Sequence, residues 1–93
     1  RAKSKSGANM NIAIIGCGYG GVVTSACLAQ LGNKVICVDN DPEKIALLKK
    51  LKMPFFEKGL DKMVKKNVKL GRLVFTDSIE YAVKKSLIIL SLK

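Results

Sequence analysis

The sequence predicts an α/β fold, a parallel sheet with helices on both faces, and three observations lead there. Short apolar runs recur along the chain: NIAII (11–15), KVICV (34–38), LVFT (73–76) and LIILSL (87–92). They are apolar throughout rather than alternating, as strands covered on both faces are. Helix-type stretches with legible ends separate them. The resulting order, β-α-β-α-α-β-α-β, gives a 3-2-1-4 sheet if its crossovers are right-handed.

Each element has its own justification. Asn11 to Ile15 is a buried strand that runs into Gly16. Gly21 to Leu31 reads as a helix, apolar nearly all round and so buried on more than one side, with Gly32 as its C-terminal cap. Lys34 to Val38 is a second strand, closed by Asp39. Asp41, Pro42 and Glu43 form a strong helix start: a capping carboxylate, a proline suited to the first helical position, and an acid at the positive end of the dipole. Ile45, Leu47, Leu48 and Leu51 then supply an apolar stripe. Pro54 and Gly59 bracket a loop before a helix from Leu60 to about Lys69, stopped by Gly71. Leu73 to Thr76 is the third strand, Ser78 caps a short helix through Lys85, and Leu87 to Leu92 is the fourth strand.

The first strand-to-helix turn carries the chemistry. Gly16-Cys17-Gly18-Tyr19-Gly20-Gly21 matches G-x-G-x-x-G, and Asp39 stands eighteen residues after Gly21 at the tip of the next strand. The glycine pattern alone is weak. Between a strand and a helix, with the acid at that distance, it is the dinucleotide fingerprint of a Rossmann-type domain. Gly16 permits the tight turn, Gly18 lets the backbone approach a pyrophosphate, and Gly21 lets the helix pack close to the sheet. The helix start offers N–H groups and about half a positive charge to the diphosphate. Asp39 is suited to the adenosine ribose hydroxyls, and its charge would repel a 2′-phosphate. Asn40 offers a phosphate no guanidinium. NAD is therefore expected over NADP, with Lys44 a further candidate to reach the ribose or a phosphate.

At GCGYGG, VICVDNDPEK, PFFEKGL and GRLVFTD the chain resembles the start of the UDP-glucose 6-dehydrogenases, within the nucleotide-sugar dehydrogenase family, from Met10 to about Leu90. The resemblance implies that Gly16, Gly18, Tyr19, Gly20 and Gly21 hold the diphosphate, that Asp39 takes the ribose and that Lys44 lies beside it. It also implies a two-step oxidation of a sugar C6 alcohol to a carboxylate with two NAD per turnover, through a cysteine nucleophile far downstream of this chain. Cys17, Cys27 and Cys37 do not occupy that position, so no catalytic residue is assigned. Three departures stand out: Gly20 where the family has Val, Lys58 where its E-P-G-L loop has Pro, and Leu87 where it commonly has Asp.

Length and composition bound the rest. Ninety-three residues hold about one of the two halves of a dinucleotide-binding domain. The expectation is a leader or expression remnant over residues 1–9, a natural start at Met10, and the N-terminal part of an NAD-binding domain over 10–93. A nucleotide-sugar substrate belongs to the full-length parent, and this chain by itself is expected to be inactive. Its apolar fourth strand would be a sheet edge, which implies a homodimer or completion by a further C-terminal segment. The net charge of +10 is spread over solvated helix faces with little aromatic interleaving, so nucleic acid is not an expected partner. No apolar run approaches the ~20 residues that span a bilayer. Three cysteines without a C-x-x-C pair, and no histidine, argue against a zinc site and a secreted disulfide framework. All three are expected as buried thiols in a reducing cytoplasm. Two other classes stay open: a non-catalytic NAD-binding regulatory module, and a fragment whose ligand site is vestigial.

Overall fold

The computed structural model describes residues 10–52 and 59–91. Strand β1 (Asn11–Ile15) is followed by helix α1 (Tyr19–Gln30), β2 (Lys34–Val38), α2 (Pro42–Lys49), α3 (Leu60–Lys69), β3 (Leu73–Thr76), α4 (Ile79–Lys85) and β4 (Ile88–Ser91). The strands form one parallel sheet in the order β3-β2-β1-β4, as the crossover argument requires. In register, Ile14 pairs with Cys37 on one side and Leu90 on the other. The chain turns left of β1 for β2 and β3 and right of it for β4. The C-terminal end of β1 is therefore the switch point at which such sheets bind ligands.

The two faces of the sheet are packed unequally. Ile12, Ile14, Val35, Cys37, Leu73 and Phe75 point to one face and are covered by Val22, Ala26 and Ala29 of α1, Ile45 and Leu48 of α2, and Leu60 and Val64 of α3. On the other face, Ala13 and Val38 meet a single buried residue of α4, Ala82. Helix α1 packs on the sheet and, to one side, against α3, so it is buried on two sides, and Cys27 is exposed. Two buried amides tie the frame together. The Asn33 carbonyl oxygen accepts from Met10 N–H at 3.0 Å while its amide donates to Leu28 O. The Asn67 amide on α3 donates to Gln30 Oε1 of α1 at 3.0 Å.

The structure corrects three expectations. Helix α1 begins at Tyr19, two residues before the expected Gly21, because Val22 N–H reaches Gly18 O at 2.9 Å and closes the first turn. Two glycines there cost about 1 kcal/mol each in propensity, and packing on the sheet overrides that. Leu47 is exposed, so the apolar stripe rests on Ile45 and Leu48, with Leu51, just beyond α2, packed against the same core. Leu51 takes φ 60° in the position where α1 and α3 place Gly32 and Gly71. Its N–H bonds Leu48 O, and Lys52 N–H bonds Leu47 O, the paired pattern that also ends the other two helices. Strand β4 spans Ile88–Ser91 rather than beginning at Leu87, which is 80% exposed. Residues 1–9, Leu92 and the Pro54 end of the expected loop lie outside the described residues.

Among the described residues β4 is a sheet edge, with Ile89 44% and Leu90 39% exposed. An apolar, unpaired edge favours pairing with another strand. We expect the 93-residue chain to associate at high concentration, and Ile89→Lys to shift it to monomer, both read by light scattering. A wild-type chain that stays monomeric would contradict this.

Candidate functional site

The glycines after β1 do three different jobs. Gly16 has φ 112°, a conformation side chains rarely adopt, and its N–H donates to Val38 O at 2.8 Å, which fastens the turn to β2. Gly21 is a packing glycine: a Cβ placed on it would lie 1.7 Å from Gly16 O and 2.9 Å from the Gly16 carbonyl carbon. Gly18 is neither, since its φ is −78° and a Cβ there would meet nothing within 4 Å. The fold makes no demand for glycine at 18. A Cβ on Gly20 would likewise enter open space, and Tyr19 beside it is 50% exposed.

The start of α1 is prepared for a negative charge from outside. Asp41 caps α2 through Glu43 N–H and Lys44 N–H, Ser78 caps α4 through Tyr81 N–H, and α3 carries Asp61 in its first turn. Helix α1 has neither a side-chain cap nor an acidic residue in its first turn. Its positive end, at the half-buried Gly18 and the exposed Tyr19 and Gly20, is a place that suits an anion.

Asp39 stands beside that loop at the end of β2. One carboxylate oxygen, Oδ2, accepts from Cys17 N–H at 2.9 Å and from Lys44 Nζ at 3.3 Å. The other, Oδ1, accepts from Asp41 N–H at 3.1 Å. The side chain is only 13% exposed. Burial by itself would raise its pKa, but the two backbone N–H groups and the Lys44 ammonium outweigh it, so the carboxyl is held below its ordinary value. A carboxylate offers about four lone-pair sites. Three are engaged, which leaves Oδ1 able to accept one more donor without rearrangement, and Lys44 is the partner easiest to displace for a second.

The fold therefore gathers Gly16, Gly18, Tyr19, Gly20, Gly21, Asp39 and Lys44 at the C-terminal ends of β1 and β2. An open backbone approach at Gly18, an uncapped helix start and a ribose-suited carboxylate fit a dinucleotide diphosphate and its adenosine ribose. The sequence reading missed one pair. Cys17 and Cys37 are buried with their sulfurs 2.9 Å apart, whereas Cys27 is exposed, contrary to the expectation of three buried thiols. Twenty residues separate the pair in sequence, and only strand register brings them together. A cavity of about 290 Å³ lies at the opposite ends of the strands, beside Asn11, Lys34 and Arg72. Among the described residues there is no group of three metal-ligating side chains, and no helix is long and apolar enough to cross a membrane. The PFFEKGL segment lies outside the described residues up to Lys58.

Comparison with known proteins settles the family. Residues 10–91 match the model of the UDP-glucose/GDP-mannose dehydrogenase family, NAD binding domain. The chain belongs to that family. It is 51% identical over 77 residues to a UDP-glucose 6-dehydrogenase of Rhizobium meliloti, covering 83% of this chain and 18% of that protein. A UDP-glucose 6-dehydrogenase of Bacillus subtilis is 49% identical over 78 residues, covering 84% of this chain and 17% of that one. Among solved structures, the GDP-mannose dehydrogenase of Pseudomonas aeruginosa superposes with TM-score 0.83 at 36% identity, over 90% of this chain and 19% of that one. The UDP-glucose dehydrogenase of Pyrobaculum islandicum gives 0.82 at 28% identity, over 97% and 21%. The chain thus spans less than a fifth of the length of the curated relatives it matches. Both the fold class and the NAD cofactor expected from the sequence agree with this family.

Two expectations follow. Gly21→Ala drives a methyl into Gly16 O and costs more than about 4 kcal/mol, enough to abolish cooperative unfolding, whereas Gly18→Val leaves the circular dichroism spectrum unchanged. For Asp39, the folded-state pKa lies below the unfolded one, so the unfolded chain binds more protons and stability rises with pH through that window. The contribution is present above about pH 4 and is lost as pH falls through the folded pKa. Thermal midpoints measured against pH should lose part of their acid slope in Asp39→Asn; an unchanged slope would refute this role.

Proposed function

We propose that this chain is the NAD-binding part of an oxidoreductase that converts UDP-glucose to UDP-glucuronate, and that by itself it binds NAD without catalysis. The observation that carries the reading is Gly18. It is a glycine the fold does not require, at the mouth of a helix with no side-chain cap of its own, 21 residues before the Asp39 carboxylate. The requirement for glycine there comes from a ligand. In this reading the N–H groups at the start of α1 hold the diphosphate, with Tyr19, Gly20 and Gly21 beside it. Asp39 accepts from the ribose, and Lys44 gives up its bond to Asp39 or turns to a phosphate. Bound NAD would supply the hydride acceptor. The residues here fix its adenosine half and so set its affinity and its preference over NADP.

The choice of UDP-glucose is supported by the relatives from Rhizobium meliloti and Bacillus subtilis, both named as UDP-glucose 6-dehydrogenases. A second reading, another nucleotide-sugar dehydrogenase, is favoured by the likeness to the GDP-mannose dehydrogenase structure. A purely regulatory NAD-binding module has no comparable support.

Calorimetric titration of the chain is expected to show NAD and ADP-ribose binding alike, NADP binding at least tenfold more weakly, and no binding to Gly18→Val. A 1.4 kcal/mol loss corresponds to that tenfold. Mixed with NAD and UDP-glucose, the chain should produce no NADH. The whole gene product should oxidise UDP-glucose in preference to GDP-mannose, with two NADH formed per sugar. Equal affinity for NAD and NADP would overturn the role given to Asp39, and a preference for GDP-mannose would overturn the substrate.

A further inference from the structure

The dinucleotide loop rests on a pair of thiols that the proposed function does not use. Cys17 is the residue between Gly16 and Gly18, and Cys37 lies on β2, in register with Ile14. Both side chains are fully buried in the larger core cluster, and their sulfurs are 2.9 Å apart. A disulfide needs the sulfurs at about 2.05 Å. The closing movement is therefore under about 1 Å, at a turn made of glycines. The same backbone turn is fastened to β2 at three other points: Gly16 N–H to Val38 O, Cys17 N–H to Asp39 Oδ2, and the parallel β1–β2 ladder.

We propose that Cys17 and Cys37 form a reversible disulfide beneath the glycine loop when a peroxide reaches them, and that bound NAD slows its formation. The second half rests on the dinucleotide reading above; the first does not. The chemistry balances with hydrogen peroxide as oxidant. The two sulfurs share a hydrogen bond that either could donate; that bond favours ionisation of Cys37 against the effect of its burial, while the same bond and burial push Cys17 up, so Cys37 is taken as the attacking sulfur. The Cys37 sulfur attacks one peroxide oxygen, the O–O bond breaks, and the departing oxygen leaves as water. The Cys17 sulfur then attacks the sulfenic sulfur so formed; the S–O bond breaks, the S–S bond forms, and the hydroxyl leaves as a second water with the Cys17 proton. Two thiols are oxidised by two electrons and one peroxide becomes two waters.

Burial sets the reagent that works. The pair lies in one buried cluster with Ile14, Val22 and Leu73. Gly16 and Gly18, on either side of Cys17, are half-buried, so in this proposal a small oxidant enters at that turn where a bulky one does not. A diphosphate seated on that turn would close the route. Cys27, exposed on α1, would react with any reagent from outside and is therefore replaced in the test.

The test uses the full chain carrying Cys27→Ser, which prevents disulfides between molecules. Treated with hydrogen peroxide and then unfolded and alkylated, it should take up no alkyl groups and weigh two hydrogens less. Proteolysis should release the Cys17 and Cys37 peptides joined, and dithiothreitol should restore both thiols. With saturating NAD the rate should fall at least several-fold. Two thiols that stay alkylatable, or a sulfinic acid on either without a link, would overturn the disulfide. If calorimetry shows NAD bound to the reduced chain while the oxidation rate is unchanged, the coupling falls and the disulfide stands. If NAD does not bind the reduced chain at all, the dinucleotide reading fails and the coupling fails with it.

Discussion

The structure depends on one close approach, that of Gly21 in the first turn of α1 to the carbonyl of Gly16 at the end of β1. A Cβ would come within 1.7 Å of that oxygen, so the contact exists only between backbones. It fixes how near α1 sits to the sheet, and the depth of the main core follows. Val22, Ala26 and Ala29 reach Ile14, Val35 and Cys37 because the helix enters this low. The small side chains at 26 and 29 are part of the same solution, since larger ones would lift the helix off the strands. The approach also sets where the helix start points, directly over the end of β1.

A second constraint follows, because the turn that makes this approach has few side chains with which to hold itself in place. It is held from β2 instead. Val38 O takes the Gly16 N–H and Asp39 Oδ2 takes the Cys17 N–H, so a strand end and the carboxylate after it act as a buttress. Asp39 at the same time accepts from Asp41 N–H, the residue that caps α2. One carboxylate thus couples the glycine loop, the tip of β2 and the entry to α2. The residue proposed to take the ribose is also part of the frame that presents the proposed diphosphate site. In that proposal binding and local stability are linked through it, so its charge state would matter to both.

The unequal faces of the sheet carry the same logic to a larger scale. Three helices cover one face and a single short helix the other, where Ala82 is the only buried residue that α4 contributes. Strand β4 pairs along one side only among the described residues, and its apolar side chains stay partly open. The best packed and best braced part of the chain is therefore the β1-α1-β2 unit with the loop on it. The least protected part is the far edge. For a chain that covers under a fifth of the length of its relatives, this places rigidity where the nucleotide is proposed to bind.

By itself the sequence determined the order and type of every element and the sheet topology, because strand runs, helix caps and glycine stops are local signals and right-handed crossovers leave one arrangement. It also marked Gly16, Gly18, Gly21 and Asp39 through spacing alone. What it left open are matters of distance. Helix α1 starts at Tyr19 because tertiary packing outweighs the poor propensity of Gly20 and Gly21. Leu51 closes α2 in a left-handed conformation that no turn residue announced. The different reasons for glycine at 18 and 21 were written alike in the motif, and only the positions of neighbouring atoms separate a steric need from an open approach. Cys17 and Cys37 share no sequence pattern, since their meeting is set by the register of two strands and the depth of one turn. Local chemistry is carried by neighbours in the chain, whereas clearance and contact across the sheet exist only once it has folded.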